Sequence, residues 1–368
     1  MNDADVIVIG AGIVGLSAAR ALRASGARVV VLDKGQPGGE ASSAAAGWLA
    51  AQAETEPGAP LLDVALRARE RHVSLAAELE EETGIGVQLS AEGTIELAFT
   101  EDEARVLLLR REWQSARGLA ADLLSADEAR RAEPSVNPAV ITGLRLSGDR
   151  SVDNVRLSRA LAASAAGRGC ALLSGRPITA LRVQEGRVEG VTTEGQDLRA
   201  PVVIEAMGAW SALLPGDPSP PPVEPVRGQI LVYQAPGLLH HVLCTARGYI
   251  VPRADGRMLA GSTLERAGFD KSVTAAGLDT VARIAVEIAP SLRARPPAGS
   301  WAGLRPGTPD QLPIVGPGAL SGLFHATGLY RSGILLGPLL GEAIARMAMG
   351  SDPGIDLSAF SPHRFRSA

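Results

Sequence analysis

Three glycines and one aspartate near the N-terminus have the types and spacing to hold a dinucleotide. Gly10, Gly12 and Gly15 form a GxGxxG run, and Asp33 stands at the tip of the next apolar stretch. Gly10 permits a tight turn, Gly12 lets backbone approach a pyrophosphate, and Gly15 lets a helix pack closely on a strand. A helix beginning at this turn presents free N–H groups and a partial positive charge to phosphate. Asp33 can accept hydrogen bonds from ribose hydroxyls and would repel a 2′-phosphate. The motif separates neither NAD from FAD nor one oxidised substrate from another.

These residues need a strand, a turn, a helix and a second strand around them. Residues 5–9 (DVIVI) read as a buried strand, 16–25 as a helix and 29–32 (VVVL) as the second strand. The small-residue run 40–47 follows, with Ser42 or Ser43 expected as a helix cap. Helices are expected over 61–83, 101–119, near 125–128, and over 155–167, 278–288 and 334–349. Strands are expected over 93–99, 140–146, 170–173, 202–208, 227–234, 249–252, 258–262 and 323–327. A hairpin through Glu185-Gly186 should join 178–184 to 188–193, and 215–222 (PGDPSPPP) reads as a linker. Strands of Rossmann character thus occur at the start, middle and end. This predicts a discontinuous cofactor domain (1–82, 145–218 and 300–368) with a second domain in two pieces (83–144 and 219–299).

Composition narrows the function classes. The 368 residues allow roughly two domains. A net charge of −4 leaves no basic footprint for nucleic acid. No apolar run reaches the ~18–20 residues needed to span a bilayer. The acidic N-terminus and missing cleavage pattern argue against a signal peptide, so a cytoplasmic location is expected. Cys170 and Cys244 make neither a disulfide framework nor a metal site, and the five histidines show no metal spacing, so no metal is expected. His240 and His241 should lie on a surface turn.

Beyond the glycine motif, the runs 43–47 (SAAAG), 226–229 (VRGQ), 249–253 (YIVPR), 301–308 (WAGLRPGT) and 328–336 (GLYRSGILL) complete a pattern. Over nearly its whole length the chain resembles the glycine oxidase branch of the FAD-dependent D-amino-acid oxidase family. The resemblance implies an α/β protein: a discontinuous Rossmann-type FAD-binding domain plus a mixed-sheet substrate domain, with the flavin ring between them. It implies FAD contacts at Ile13, Val14, Asp33, Lys34, Ala41, Ser42, Ser43, Ala46, Gly47 and Trp48. It adds the Ile178 backbone at the adenine, Gly208, and the loop Leu329, Tyr330, Arg331, Ser332, Gly333, Ile334 and Leu335 around the isoalloxazine. Arg305 and Arg331 match the pair that holds the substrate carboxylate, and Tyr249 the tyrosine that hydrogen-bonds it. A planar guanidinium fork fixes both oxygens of a carboxylate, which suits an oxidase that must orient a Cα–H bond. Arg305 is expected in a Gly/Pro-rich turn.

The activity so implied is oxidative deamination of glycine or another small amine, by hydride transfer from Cα to the flavin. The products are an imine, hydrolysed to a 2-oxo acid and ammonia, and hydrogen peroxide from oxygen. In part of the family the imine feeds thiazole synthesis for thiamin. Residues 304–322 contain no cysteine, so the FAD is expected to be non-covalent. Three positions depart from the pattern and mark the substrate pocket: Trp48 and Leu264 stand where methionine is usual, and Arg247 near a usual histidine. A dehydrogenase serving a quinone or protein acceptor, an RNA-modifying oxidase and a flavin protein without turnover are the other readings. Relatives are often tetramers, so a homo-oligomer is compatible with the resemblance, although no residue pattern marks an interface.

Overall fold

The structure is a computed structural model, and it describes residues 4–365. Its first sheet has six strands in the order Ile314–Pro317, Leu323–Thr327, Val202–Glu205, Val6–Ile9, Val29–Leu32 and Ala171–Leu173. Five of these run parallel, and Ile314–Pro317 returns antiparallel at one edge. Val6 to Ile9 is buried on both faces, which is why its sequence is continuously apolar rather than alternating. Helices Ile13–Ala24, Leu62–Thr83, Asn154–Gly167 and Gly333–Ala348 contribute to the main apolar core against this sheet.

The helix Gly333–Ala348 lies tightly along Ile13–Ala24. A Cβ on Gly341 would come within 2.7 Å of the Val14 carbonyl, so only glycine allows this approach. Pro338 sits inside the helix and cannot donate to the carbonyl four residues back. His72 repairs the defect: its Nε2 lies 2.9 Å from the Ile334 carbonyl and 3.1 Å from that of Leu335. Burial holds the His72 ring down at about 4, so the neutral ring donates there.

The second sheet is mixed and has eight strands. Their order is Gly299–Gly307, Glu224–Gln234, Arg257–Gly261, Gly248–Pro252, Val242–Thr245, Thr94–Ala98, Thr142–Leu146 and Asp122–Ser125. Only Val242–Thr245 and Thr94–Ala98 pair in parallel. Helix Ala275–Ile288 covers one face of this sheet around a separate core. The hairpin Ile178–Gln184/Arg187–Thr193 forms as expected and gains a third strand, Gln196–Arg199.

Several expectations are corrected. Arg305 is not in a turn. Gly299–Gly307 pairs along its length with Glu224–Gln234, with Arg305 opposite Val226 and Pro306 opposite Pro225. That strand therefore belongs to the eight-stranded sheet by its hydrogen bonds, although the sequence division places residues 300–307 with the cofactor pieces. The helix expected to 119 ends at Ala116. Neither Ser42 nor Ser43 caps the short helix Ala41–Ala44, whose N-cap is Glu40. His240 and His241 lie in a bend after the turn at Pro236-Gly237, and both backbone N–H groups and His241 Nδ1 converge on buried Glu133 Oε1.

Candidate active site

The site begins at the turn between Val6–Ile9 and Ile13–Ala24. Gly10 has φ +103°, and a Cβ there would sit 2.3 Å from the Ala206 carbonyl. A Cβ on Gly15 would sit 1.9 Å from the Gly10 carbonyl. Gly12 differs, because a Cβ there would meet only Ser42 Oγ, at an ordinary 3.4 Å. No protein atom demands glycine at that position, and the bare backbone faces a cleft. The first turn of the helix carries no acidic residue, and the Ile13 N–H donates to Ser42 Oγ at 3.0 Å. This cradle of small residues and a helix N-terminus fits a pyrophosphate.

The cleft encloses about 1080 Å³ including its open mouth. On the side of the first sheet, Gly12, Ile13, Val14, Ala41, Ser42, Ala46, Gly47, Trp48 and Gly208 line it, with Leu329, Tyr330, Arg331, Gly333 and Ile334. Tyr249 and Arg305 line it from the eight-stranded sheet. The cleft is thus walled by both sheets, and it gathers most of the residues singled out by sequence.

Arg305 is held by a hydrogen bond from Nη2 to Ser262 Oγ (2.7 Å) and from Nη1 to the Thr263 carbonyl (3.2 Å). Among the described residues it has no carboxylate partner. Burial, the largest influence, holds its pKa below the ordinary range. Gly228 makes room for it, since a Cβ there would stand 2.1 to 2.4 Å from the guanidinium atoms. The Tyr330 N–H donates to the Pro306 carbonyl at 3.1 Å, tying the Arg331 loop to the Arg305 strand. Tyr330 takes φ +46°, an uncommon conformation for an aromatic residue, and this bends the loop next to Arg331.

Arg331 is ion-paired. Its Nε lies 3.0 Å from Glu54 Oε1, and its Nη2 meets the same oxygen. Burial lowers the Arg331 pKa and the Glu54 charge raises it, with a net rise. Glu54 is the one carboxylate on the cleft wall, and sequence reasoning missed it. It sits in an alanine-rich segment with no motif, so only the folded ion pair reveals it. Gly228, Ser262 and Thr327 were missed as well, because each acts through position rather than through a distinctive type.

The turn that carries Glu54 is pinned by Asp149, whose oxygens accept the Gln52 N–H (2.9 Å) and Ala53 N–H (3.2 Å). Burial pushes the Asp149 carboxyl from 3.8 up to about 7, against the pull of those two donors. A folded value above the unfolded one means this group favours folding while protonated and opposes it once ionised. Stability should therefore fall as pH rises from about 4 to about 7, by up to ~1.4 kcal/mol per pH unit, and level off above. Urea unfolding across a pH series, with Asp149→Asn expected to flatten that component, checks the prediction.

Trp48 projects into the site. Its ring lies 5.5 Å from that of Tyr249, and Nε1 donates to Thr94 Oγ1 at 2.9 Å. The other two pocket expectations are overturned. Arg247 occupies the tight turn between Val242–Thr245 and Gly248–Pro252. That turn aims its guanidinium at Glu287 and Glu103 instead, with Nε 2.9 Å from Glu287 Oε2 and Nη1 2.8 Å from Glu103 Oε1. Leu264 is 55% exposed, because the chain leaves the sheet after Gly261 and Glu265 pairs with Arg227.

Eight expected cofactor positions lie off the cleft wall: Gly10 and Gly15, which shape the turn behind it, and six others. Asp33 stands at its strand tip, where Oδ2 accepts the Ala11 N–H and Oδ1 the Gly35 N–H, both at 2.7 Å. Each oxygen keeps lone-pair capacity for a ribose hydroxyl. The Lys34 ammonium lies 3.2 Å from the centre of the Trp210 ring, which stacks on Phe269. Ile178 packs into the apolar cluster behind the first sheet. Ser43 Oγ turns back to the Gly38 carbonyl, and Leu335 is buried in the core. Ser332 is the N-cap of the final long helix.

The chain is similar to known proteins over nearly its whole length. The family described as DAO, FAD dependent oxidoreductase, matches residues 5–347. A glycine oxidase from Geobacillus kaustophilus is 36% identical over 363 residues, covering 97% of this chain and 96% of the relative. The crystal structure of glycine oxidase from that organism superposes with a TM-score of 0.95 at 34% identity, covering 100% of both chains. A bifunctional protein ThiO/ThiG from Synechocystis is 32% identical over 98% of this chain, which spans 54% of that protein. By the extent of the family match and of these identities, the chain belongs to the DAO family of FAD-dependent oxidoreductases.

Proposed function

We propose that this protein oxidises glycine or a comparably small amino acid with dissociable FAD, giving an imine that water converts to a 2-oxo acid and ammonia. The observation that carries the reading is the Arg305 guanidinium, unpaired by any described carboxylate and facing a cleft shared with Tyr249, Arg331 and the glycine turn. A buried cation held by neutral groups is a receptor for an anion. FAD, when bound, supplies the hydride acceptor. Arg305 and Arg331 would grip the substrate carboxylate, and the Tyr249 hydroxyl would add a hydrogen bond. The Trp48–Tyr249 ring pair closes the wall and favours small side chains. Among the described residues no histidine lines the cleft, so the substrate nitrogen is expected to enter the chemical step as the neutral amine. Among the described residues the cleft lining contains no cysteine, in keeping with non-covalent FAD. No helix of the described residues is long and apolar enough to cross a membrane. Oxygen is the proposed electron acceptor, and the net charge of −4 speaks against an RNA substrate.

Anaerobic mixing of the FAD-loaded protein with glycine, sarcosine, D-alanine and D-proline tests this. Bleaching of the flavin band that recovers on admitting air is the expected result. Bleaching without recovery would show a dehydrogenase, and no bleaching by any of the four would overturn the small-amino-acid reading.

Glu54 gives a separate prediction. The substrate carboxylate must compete with it for Arg331. A partly exposed ion pair contributes little, so Glu54→Gln should lower KM by about two- to fivefold with kcat unchanged. Steady-state kinetics reads that split directly.

A further inference from the structure

The fold does not account for a chain of buried polar groups behind the cleft wall. Glu205 ends the strand Val202–Glu205 and stands in register with His325 on Leu323–Thr327, and both are almost fully buried. His325 Nδ1 lies 3.2 Å from Glu205 Oε2. The other oxygen, Oε1, accepts the Met207 N–H and the Ser211 hydroxyl, each at 2.6 Å. Ser211 Oγ is 2.6 Å from Thr327 Oγ1, and Thr327 lines the cleft. On the far side, His325 Nε2 lies 3.4 Å from a carboxylate oxygen of Asp217, and neither atom has a hydrogen-bond partner. His325 also borders a second cavity of about 500 Å³ including its open mouth, walled by residues 219–222, Gly318 and Phe365.

A clamp on the turn after Val202–Glu205 needs only Glu205, the Met207 N–H and Ser211. It leaves no task for Asp217 or for His325 Nε2, although His325 is the residue that brings the chain to the second cavity. Burying two carboxylates around one imidazole costs desolvation energy that a neutral pair would avoid. Each group in the series can both take up and give up a proton.

We propose that Thr327, Ser211, Glu205 and His325 form a proton relay between the cofactor cleft and the second cavity, which His325 borders. The inference rests on the amine oxidation proposed above. An amino acid that arrives as its ammonium form gives up one proton to become the neutral amine before Cα loses its hydride, and the iminium so formed gives up a second to become the imine. The hydride goes to the cofactor, and the two protons must reach solvent. Glu54, the carboxylate on the cleft wall, is already committed to Arg331. A proton accepted at Thr327 Oγ1 passes through Ser211 to Glu205, crosses the imidazole from Nδ1 to Nε2, and leaves into the second cavity.

The test is anaerobic stopped-flow mixing of the FAD-loaded enzyme with glycine, or with whichever of the four amino acids bleaches it, in weak buffer containing a pH-indicator dye. Bleaching reports hydride transfer and the dye reports released protons. In the unaltered enzyme the two traces should coincide. In Ser211→Ala and in His325→Ala the dye should lag bleaching by about tenfold or more, the scale of a lost proton-transfer group. Added imidazole should restore the dye trace of His325→Ala but not of Ser211→Ala. Coincident traces in both variants would overturn the relay, and so would a parallel slowing of both traces without imidazole rescue. Failure of all four amino acids to bleach the unaltered enzyme would instead sink the oxidase reading. The relay is then read from proton uptake during light-driven reduction of the bound FAD, where the same variants should lag and an absent lag overturns it.

Discussion

Replacing Arg305 with methionine should lower kcat/KM for the amino-acid substrate by about 10²- to 10³-fold while leaving FAD bound. The side chain reaches the cleft from Gly299–Gly307, with Ser262 Oγ and the Thr263 carbonyl fixing its head. Losing one member of a buried, hydrogen-bonded charge pair costs about 2–5 kcal/mol, and each ~1.4 kcal/mol is tenfold in rate. Methionine keeps the apolar stem, so the loss is one of charge and fork geometry. Arg305→Lys restores the charge but not the planar fork, and should recover only part of the loss. Gly228→Ala should mimic the methionine variant, because its Cβ would occupy space within 2.1 to 2.4 Å of the guanidinium. A simple amine without a carboxylate provides the control, since its slow turnover should not change. If Arg305→Met keeps kcat/KM within a few-fold of the parent, the carboxylate clamp lies elsewhere.

The two arginines show what was legible in the sequence and what was not. Their motifs drew attention to both, yet the strand that carries Arg305 and the ion pair at Arg331 were not readable. Arg305 lies in the run GSWAGLRPG, whose glycines and proline depress strand propensity. The run becomes a strand only because Glu224–Gln234 pairs along it. For Arg331 the ion pair was invisible, because its partner, Glu54, lies in an unpatterned segment far away in the chain. Arg247 failed for a related reason. Its place near a usual histidine implied a pocket residue, but the strand begins at Gly248 and Arg247 belongs to the turn before it. Long apolar runs and glycine turns are local signals, and they located the first sheet well. Short strands such as Ile314–Pro317 and Val242–Thr245 owe their existence to neighbours, and no local pattern announced them.

Gly12 offers the sharpest test of the cofactor cradle, because it can be separated from Gly15. A side chain at Gly15 would strike the Gly10 carbonyl at 1.9 Å, so Gly15→Val should prevent folding. A Cβ at Gly12 meets only Ser42 Oγ at 3.4 Å, so Gly12→Val should fold with its secondary structure intact. Its branched methyls would nonetheless stand where the pyrophosphate must approach the helix N-terminus. Loss of about 3–4 kcal/mol of phosphate contact would weaken FAD binding by about 10²- to 10³-fold. Gly12→Asp should weaken it further, since a carboxylate would face the phosphates at the positive end of Ile13–Ala24. Circular dichroism should report folded Gly12 variants, and flavin fluorescence titration should report their affinity. Folded Gly12→Val with parent-like affinity would move the pyrophosphate away from this turn. Unfolded Gly12→Val would mean that the position is structural after all, contrary to the open space around it.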